Sequence, residues 1–162
     1  MPSFGKSSHE RLQTCHPDLV KLFEKVVEKY DCSILEGVRS LERQTELFET
    51  GRSKTMKSKH LPNVKFGGVS LAVDVVPYPI QWGEKEQKAI IEAVKNRELK
   101  TINKHLNEYK NAMARFYNFA GYVKGLADSM GIELRWGGDW NSNNKFDDQN
   151  FIDLPHFELR VN

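Results

Sequence analysis

The order of elements constrains this chain most. Pro17 to Tyr30 reads as a helix: Pro17 suits a first turn, and Leu19, Leu22, Phe23, Val26 and Val27 recur at three- and four-residue spacing. Ser33 to Val38 reads as a short strand leading to Arg39. Ser40 then caps a second helix, with Leu41, Thr45 and Phe48 near one face and Gly51 at its end. An aperiodic loop, Arg52 to Phe66, follows. Gly67-Gly68 opens a strand over Val69 to Val76, which Pro77-Tyr78-Pro79 closes. Glu84 to Met130 is mostly helical, with a break in the Lys95 to Lys104 region. Leu106, Met113, Phe116, Tyr117, Ala120, Val123, Ala127 and Met130 give it a long buried face, and Gly131 ends it. Ile132 to Trp136 is another strand, and a last one follows the polar loop Asp139 to Asn150. Helices and short strands are mixed without regular β-α alternation, so the expected class is α+β, a small antiparallel sheet with flanking helices.

At 162 residues the chain fits one domain, 1–162, and can bury a real core. A net charge of +2 gives no case for disorder, and a general nucleic-acid binder is usually more basic. The charge is unevenly spread. Arg52, Lys54, Lys57, Lys59 and Lys65 lie between Gly51 and Lys65 with no acid, whereas Asp139 to Asp153 holds four acids and one lysine. Such runs are ordinarily solvated surface; side by side they would flank a groove for an anionic polymer. The first residues carry no apolar run, so no signal peptide is expected, and no stretch approaches the ~20 apolar residues needed to cross a membrane. Cys15 and Cys32, with no Cys-x-x-Cys pair, read as reduced thiols of a cytoplasmic product.

The chemistry concentrates near the end, in Asp153-Leu154-Pro155-His156-Phe157-Glu158-Leu159. In a strand, His156, Glu158 and Arg160 share one face, and Phe157, Leu159 and Val161 the other. The apolar face can sit on a core and leave an imidazole pointing into a cleft, with Asp153 at a loop edge beside it. Asp74, in the middle of an apolar strand, is costly unless paired or metal-bound; Arg39 is one candidate partner. Of the five histidines, His9 and His16 lie in a polar leader and His105 in the long helical stretch, where packing or surface roles are expected. His60 ends Ser58-Lys59-His60, fourteen residues before Asp74. Alone, each histidine reads as a satisfied polar residue. Together, two imidazoles and a carboxylate with a fourth position open are the mark of a catalytic zinc site.

Ser58-Lys59-His60, Ala72-Val73-Asp74-Val75-Val76-Pro77-Tyr78-Pro79, Trp136-Gly137-Gly138-Asp139-Trp140 and the Asp153–Leu159 segment resemble the zinc metallopeptidases that cut peptidoglycan stem peptides. The L-alanyl-D-glutamate peptidases of phage lysis systems are the nearest branch. The resemblance runs from His16-Pro17-Asp18-Leu19 through Glu36-Gly37-Val38-Arg39-Ser40 to the end. It implies a hedgehog/DD-peptidase-like fold, zinc held by His60, Asp74 and His156, and Asp153 as catalytic acid/base. It also implies that Arg39 steadies the carbonyl oxygen and that Ser58 helps hold substrate. The implied partner is the bacterial peptidoglycan stem peptide, met by a monomer that stays in the host cytoplasm until release to the wall, with no nucleic acid and no membrane insertion. One departure stands out: the family usually spaces its first two ligands by seven residues, and Ser70 stands where a glycine is usual. The longer loop is expected to reshape the rim without breaking ligation.

On this reading Asp153 takes a proton from the attacking water and passes it to the leaving amine, while Arg39 stabilises the oxyanion. Glu158 can orient a ligand imidazole, its plainer role being a strand-pair acid. Oxygen-bearing residues alternate from Asp139 to Asp147 like the start of a calcium loop, but the sixth-place glycine and final Glu are missing, so an ordinary polar loop is the plainer reading. Trp136 and Trp140 can stack on a sugar or peptide, although core is the plainer reading for Trp136, which ends an apolar strand. Two other readings stand beside this one: a D-Ala-D-Ala carboxypeptidase or dipeptidase, and a non-catalytic zinc-stabilised wall-binding domain with a closed four-ligand site.

Overall fold

The computed structural model describes residues 1–161. Its sheet has four strands: β1 (Cys32–Glu36), β2 (Ala72–Pro77), β3 (Leu134–Trp136) and β4 (His156–Leu159), in spatial order β1-β2-β4-β3 with every pair antiparallel. The helices are α1 (Lys6–Leu12), α2 (Pro17–Lys29), α3 (Leu41–Glu49), α4 (Glu84–Lys95) and α5 (Leu99–Ser129). This is the α+β antiparallel arrangement expected from the element order.

Alternation along β4 separates the two faces of the sheet. Phe157 and Leu159 point into the core, where the Phe157 ring meets Phe23 of α2 at 5.6 Å and Phe119 of α5 at 5.9 Å, both edge-on. Burying a side chain of this size contributes roughly 1.5–3 kcal/mol. Val73 and Val75 of β2 join the same cluster, as do Leu19, Leu22, Val26 and Val27 of α2. His156 and Glu158 are left on the opposite face. Trp136 is buried and donates its indole N–H to the Leu154 carbonyl at 2.7 Å.

Several elements depart from expectation. The polar leader contains α1, which buries Leu12; one apolar anchor and no side-chain cap left little signal in the sequence. β2 begins at Ala72, because Val69 and Ser70 are held in isolated bridges to Asn63 and Cys15. In α3, Leu41 and Phe48 are exposed and Gln44 is the buried residue. On α5 the buried face includes Ala112 and Phe119, while Leu106 is only partly covered, since the first half of α5 lies against α4. The helical break falls at Asn96–Glu98. Cys15 and Cys32 are free and buried, and burial pushes both thiols up to about 12. Among the described residues, no helix is long and apolar enough to cross a membrane.

Candidate metal centre

Antiparallel register lines up the polar residues. Glu36 of β1 pairs with Asp74 of β2, and Asp74 pairs with His156 of β4. In the next row Ala72 pairs with Glu158, and Glu158 with Arg135 of β3. His60 enters from the loop. The His60 Nε2, Asp74 Oδ1 and His156 Nδ1 atoms form a near-equilateral triangle with sides of 3.1, 3.2 and 3.2 Å. Among the described residues, these three form a buried group able to hold a metal ion.

The outer nitrogens of the two rings decide what the inner ones carry. His60 Nδ1 lies 2.8 Å from the Gly37 carbonyl, which only accepts, so this nitrogen holds the proton. His156 Nε2 lies 2.9 Å from the Glu158 carboxylate and donates likewise. With both rings neutral, each inner nitrogen is a bare lone pair facing the other and a carboxylate oxygen. Three lone pairs converging in a buried space repel one another unless a cation sits among them. A tetrahedral ion with bonds of about 2.1 Å keeps its donors roughly 3.4 Å apart, close to the sides of this triangle. Two imidazoles and a carboxylate, each ring fixed by an outer acceptor, suit a zinc-like ion.

A proton can replace the ion in part. Burial alone would lower the His156 pKa, but hydrogen bonds to Asp74 and Glu158 outweigh it and push it up to about 9. Burial opposes the Asp74 charge, yet His60 and His156 hold its carboxyl well below the usual range. Glu158 is also lowered: its burial is outweighed by His156 and Arg135. Arg135 grips Glu158 with Nε at 2.9 Å and with Nη2, and its guanidinium lies 5.4 Å over the Trp140 ring, which in turn covers His156 at 5.3 Å.

The other expected residues line the same cleft of about 840 Å³: Arg39, Ser58, Asp153 and Trp140. Asp153 ends the polar loop in a turn that hands the chain to β4, with the His156 amide donating to the Asp153 carbonyl at 3.1 Å. Gly137 clamps this turn: its amide donates to the His156 carbonyl at 2.8 Å, and its carbonyl accepts from the Asp153 amide at 2.9 Å. A Cβ at Gly137 would strike the Asp153 carbonyl. Burial, then the nearby Asp74 charge, raises the Asp153 pKa. Arg39 donates to Gln44 Oε1 at 2.8 Å, contacts Glu36, and reaches Asp74 Oδ2 at 3.5 Å; its Nε is buried without a partner. The Ser58 hydroxyl accepts from the His60 amide at 3.2 Å.

The long His60–Asp74 interval is absorbed before it reaches the site. The Leu71 amide donates to the Lys59 carbonyl at 2.9 Å, and residues 61–69 beyond His60 form an outward loop around the 3-10 turn Val64–Phe66. Ser70 is buried at its base and bonds Ala72 and Lys59. At the other end of the polar loop, Asp139 is buried and accepts from Lys124 Nζ and from the Asn143 and Asn144 amides. These contacts occupy both oxygens a calcium reading would assign to it.

A profile of the family described as phage L-alanyl-D-glutamate peptidase matches residues 2–107 and 99–160. The chain belongs to that family. It is 27% identical to the L-alanyl-D-glutamate peptidase of Escherichia phage T5, with 96% of each chain covered. The crystal structure of the L-Ala D-Glu endopeptidase ChiX of Serratia marcescens superposes with a TM-score of 0.58 at 26% identity, over 98% of this chain and 90% of that one. For a member of the L-alanyl-D-glutamate peptidase family, sequence reasoning missed two supports of the site. The Gly37 carbonyl that fixes His60 is a backbone group, which no side-chain pattern reveals. Gln44 bonds Arg39, Ser53 and the Thr55 carbonyl, tying α3 to the basic loop; a lone glutamine on a short helix gives no warning of this.

Proposed function

We propose that this chain is a zinc-dependent peptidoglycan endopeptidase that hydrolyses the L-Ala–D-Glu bond of stem peptides. On this reading it is a phage-type endolysin, acting as a monomer with residues 1–162 as one catalytic domain, and reaching the wall from the host cytoplasm. The observation that carries the proposal is the lone-pair triangle of His60, Asp74 and His156 on the floor of an open cleft. Family membership supplies the bond.

His60 Nε2, Asp74 Oδ1 and His156 Nδ1 would hold the zinc. Zinc bound there supplies Lewis acidity, polarising a carbonyl and acidifying water. Asp153 takes the proton of the attacking water and returns it to the departing amine; its raised pKa suits both steps. Arg39, anchored by Glu36 and Gln44, offers positive charge to the developing oxyanion. Ser58 lines the cleft beside His60 and holds substrate through its hydroxyl. Gly37 and Glu158 fix the two rings so that neither must reorganise during reaction.

The test is end-group analysis of purified peptidoglycan digested by the protein. New amino ends at D-Glu with free L-Ala carboxyl ends support the reading. Release of terminal D-Ala alone would replace it with the carboxypeptidase activity, and no release would leave a binding domain.

A further inference from the structure

A stem peptide is joined through L-Ala to the lactyl group of a muramic acid sugar. An enzyme cutting after that L-Ala therefore meets a sugar about 7 Å, two backbone units, from the scissile carbonyl. On the far side, D-Glu carries a free carboxylate. The two halves of the substrate thus differ in kind, and so do the two rims of the cleft.

One rim is cationic. Arg52, Lys54, Lys57 and Lys59 line the cleft, from the loop without acids that follows α3 and is tied by Lys59 to Leu71, just before β2. The other rim is aromatic. Trp82 lies beyond Pro77, which pairs with Cys32 at the opposite end of β1 and β2. One face of the Trp82 ring stacks on Phe116, with centroids 5.5 Å apart and planes at 29°, yet 44% of the residue is exposed. Its loop is pinned where Arg115 donates to the Pro79 carbonyl at 2.9 Å. Trp82 is shared with a second groove of about 430 Å³, where Gln81, Glu86, Glu108 and Asn111 offer amides and carboxylates. A pyranose ring has an apolar C–H face and a polar hydroxyl edge, and a fixed indole with amides beside it matches both.

We propose that Trp82 is the stacking platform for the sugar that carries the stem peptide, with the glycan running into the groove between the start of α4 and α5. The D-Glu half then lies against the cationic rim. The inference rests on the peptidoglycan reading, but its test does not depend on catalysis.

The intact protein is titrated with a peptide-free tetrasaccharide of alternating N-acetylglucosamine and N-acetylmuramic acid, and the indole N–H resonances are followed. Trp82 is assigned from the spectrum of Trp82→Phe. A saturable shift of the Trp82 resonance is expected, and calorimetric titration with the same tetrasaccharide should show binding about tenfold weaker in Trp82→Ala than in the wild type. An unmoved Trp82 resonance overturns the proposal. In kinetics, Trp82→Ala should lower kcat/KM about tenfold on the muramyl-linked peptide and leave the same peptide without sugar within about twofold, while Trp82→Phe retains most activity. Equal losses on both substrates overturn it. If the wild type cleaves neither substrate, the peptidase reading fails and the titration alone decides the platform.

Discussion

Glu158 accepts the Nε2 proton of His156 at 2.9 Å, and this single contact turns the Nδ1 lone pair of the same ring toward Asp74 and His60. Glu158 is itself buried and held by Arg135. Replacing it with glutamine keeps the shape and removes the charge that fixes the tautomer. Glu158→Gln should weaken zinc binding about 10- to 100-fold with the fold intact. Competition against a chromogenic chelator, alongside circular dichroism, measures both.

Asp153→Asn separates holding the ion from using it. Asp153 is outside the triangle, so zinc content should match the wild type, while the rate falls roughly a hundred- to ten-thousand-fold. Zinc analysis with a muropeptide assay on the same preparation checks this. Full activity in the variant would remove Asp153 from the proton path.

Gly137 has no room for a methyl group, since a Cβ there strikes the Asp153 carbonyl and crowds the His156 Cβ. Gly137→Ala should cost about 1–3 kcal/mol of stability. It should also lower activity beyond that of a surface Gly125→Ala control, where a Cβ meets open space. Denaturant melts and activity of the two variants supply the comparison.

The metal-free protein should be sensitive to alkali. With its pKa raised from 6.5 to about 9, protonated His156 contributes stability that is fully present below about pH 6.5 and is lost as the pH rises to about 9. Asp74 acts at the other end: its lowered pKa gives stability present above about pH 4 and lost on acidification. Melting temperatures of the metal-free chain should therefore fall between pH 6.5 and 9. The zinc-loaded chain should not show this fall, because the ion takes over the charge of the proton.

The polar face of β4 was legible in the sequence because strand alternation leaves little choice: Phe157 and Leu159 had to go inward, so His156 and Glu158 came outward together. Asp74 was legible for a similar reason, as an acid among valines that needs a partner. The cross-strand register that sets Glu36, Asp74 and His156 in a row was not, because pairing between distant segments leaves no local pattern. The same limit hid α1, whose only buried residue is Leu12, and the exposed side of α3, where Gln44 is buried and Leu41 is not. The fourteen-residue interval between His60 and Asp74 was expected to leave ligation intact, because ligand atoms must converge in space and not in sequence. The Lys59–Leu71 hydrogen bond shows how extra length is set aside.

Stoichiometric reconstitution tests the centre most directly. Chelated, metal-free protein is titrated with zinc while cleavage of a muramyl stem peptide is followed. No hydrolysis is expected without metal, with activity rising linearly to a plateau at one zinc per chain and no recovery in His156→Ala at any ratio. Undiminished cleavage by the metal-free chain, or full recovery in His156→Ala, would contradict a catalytic zinc centre.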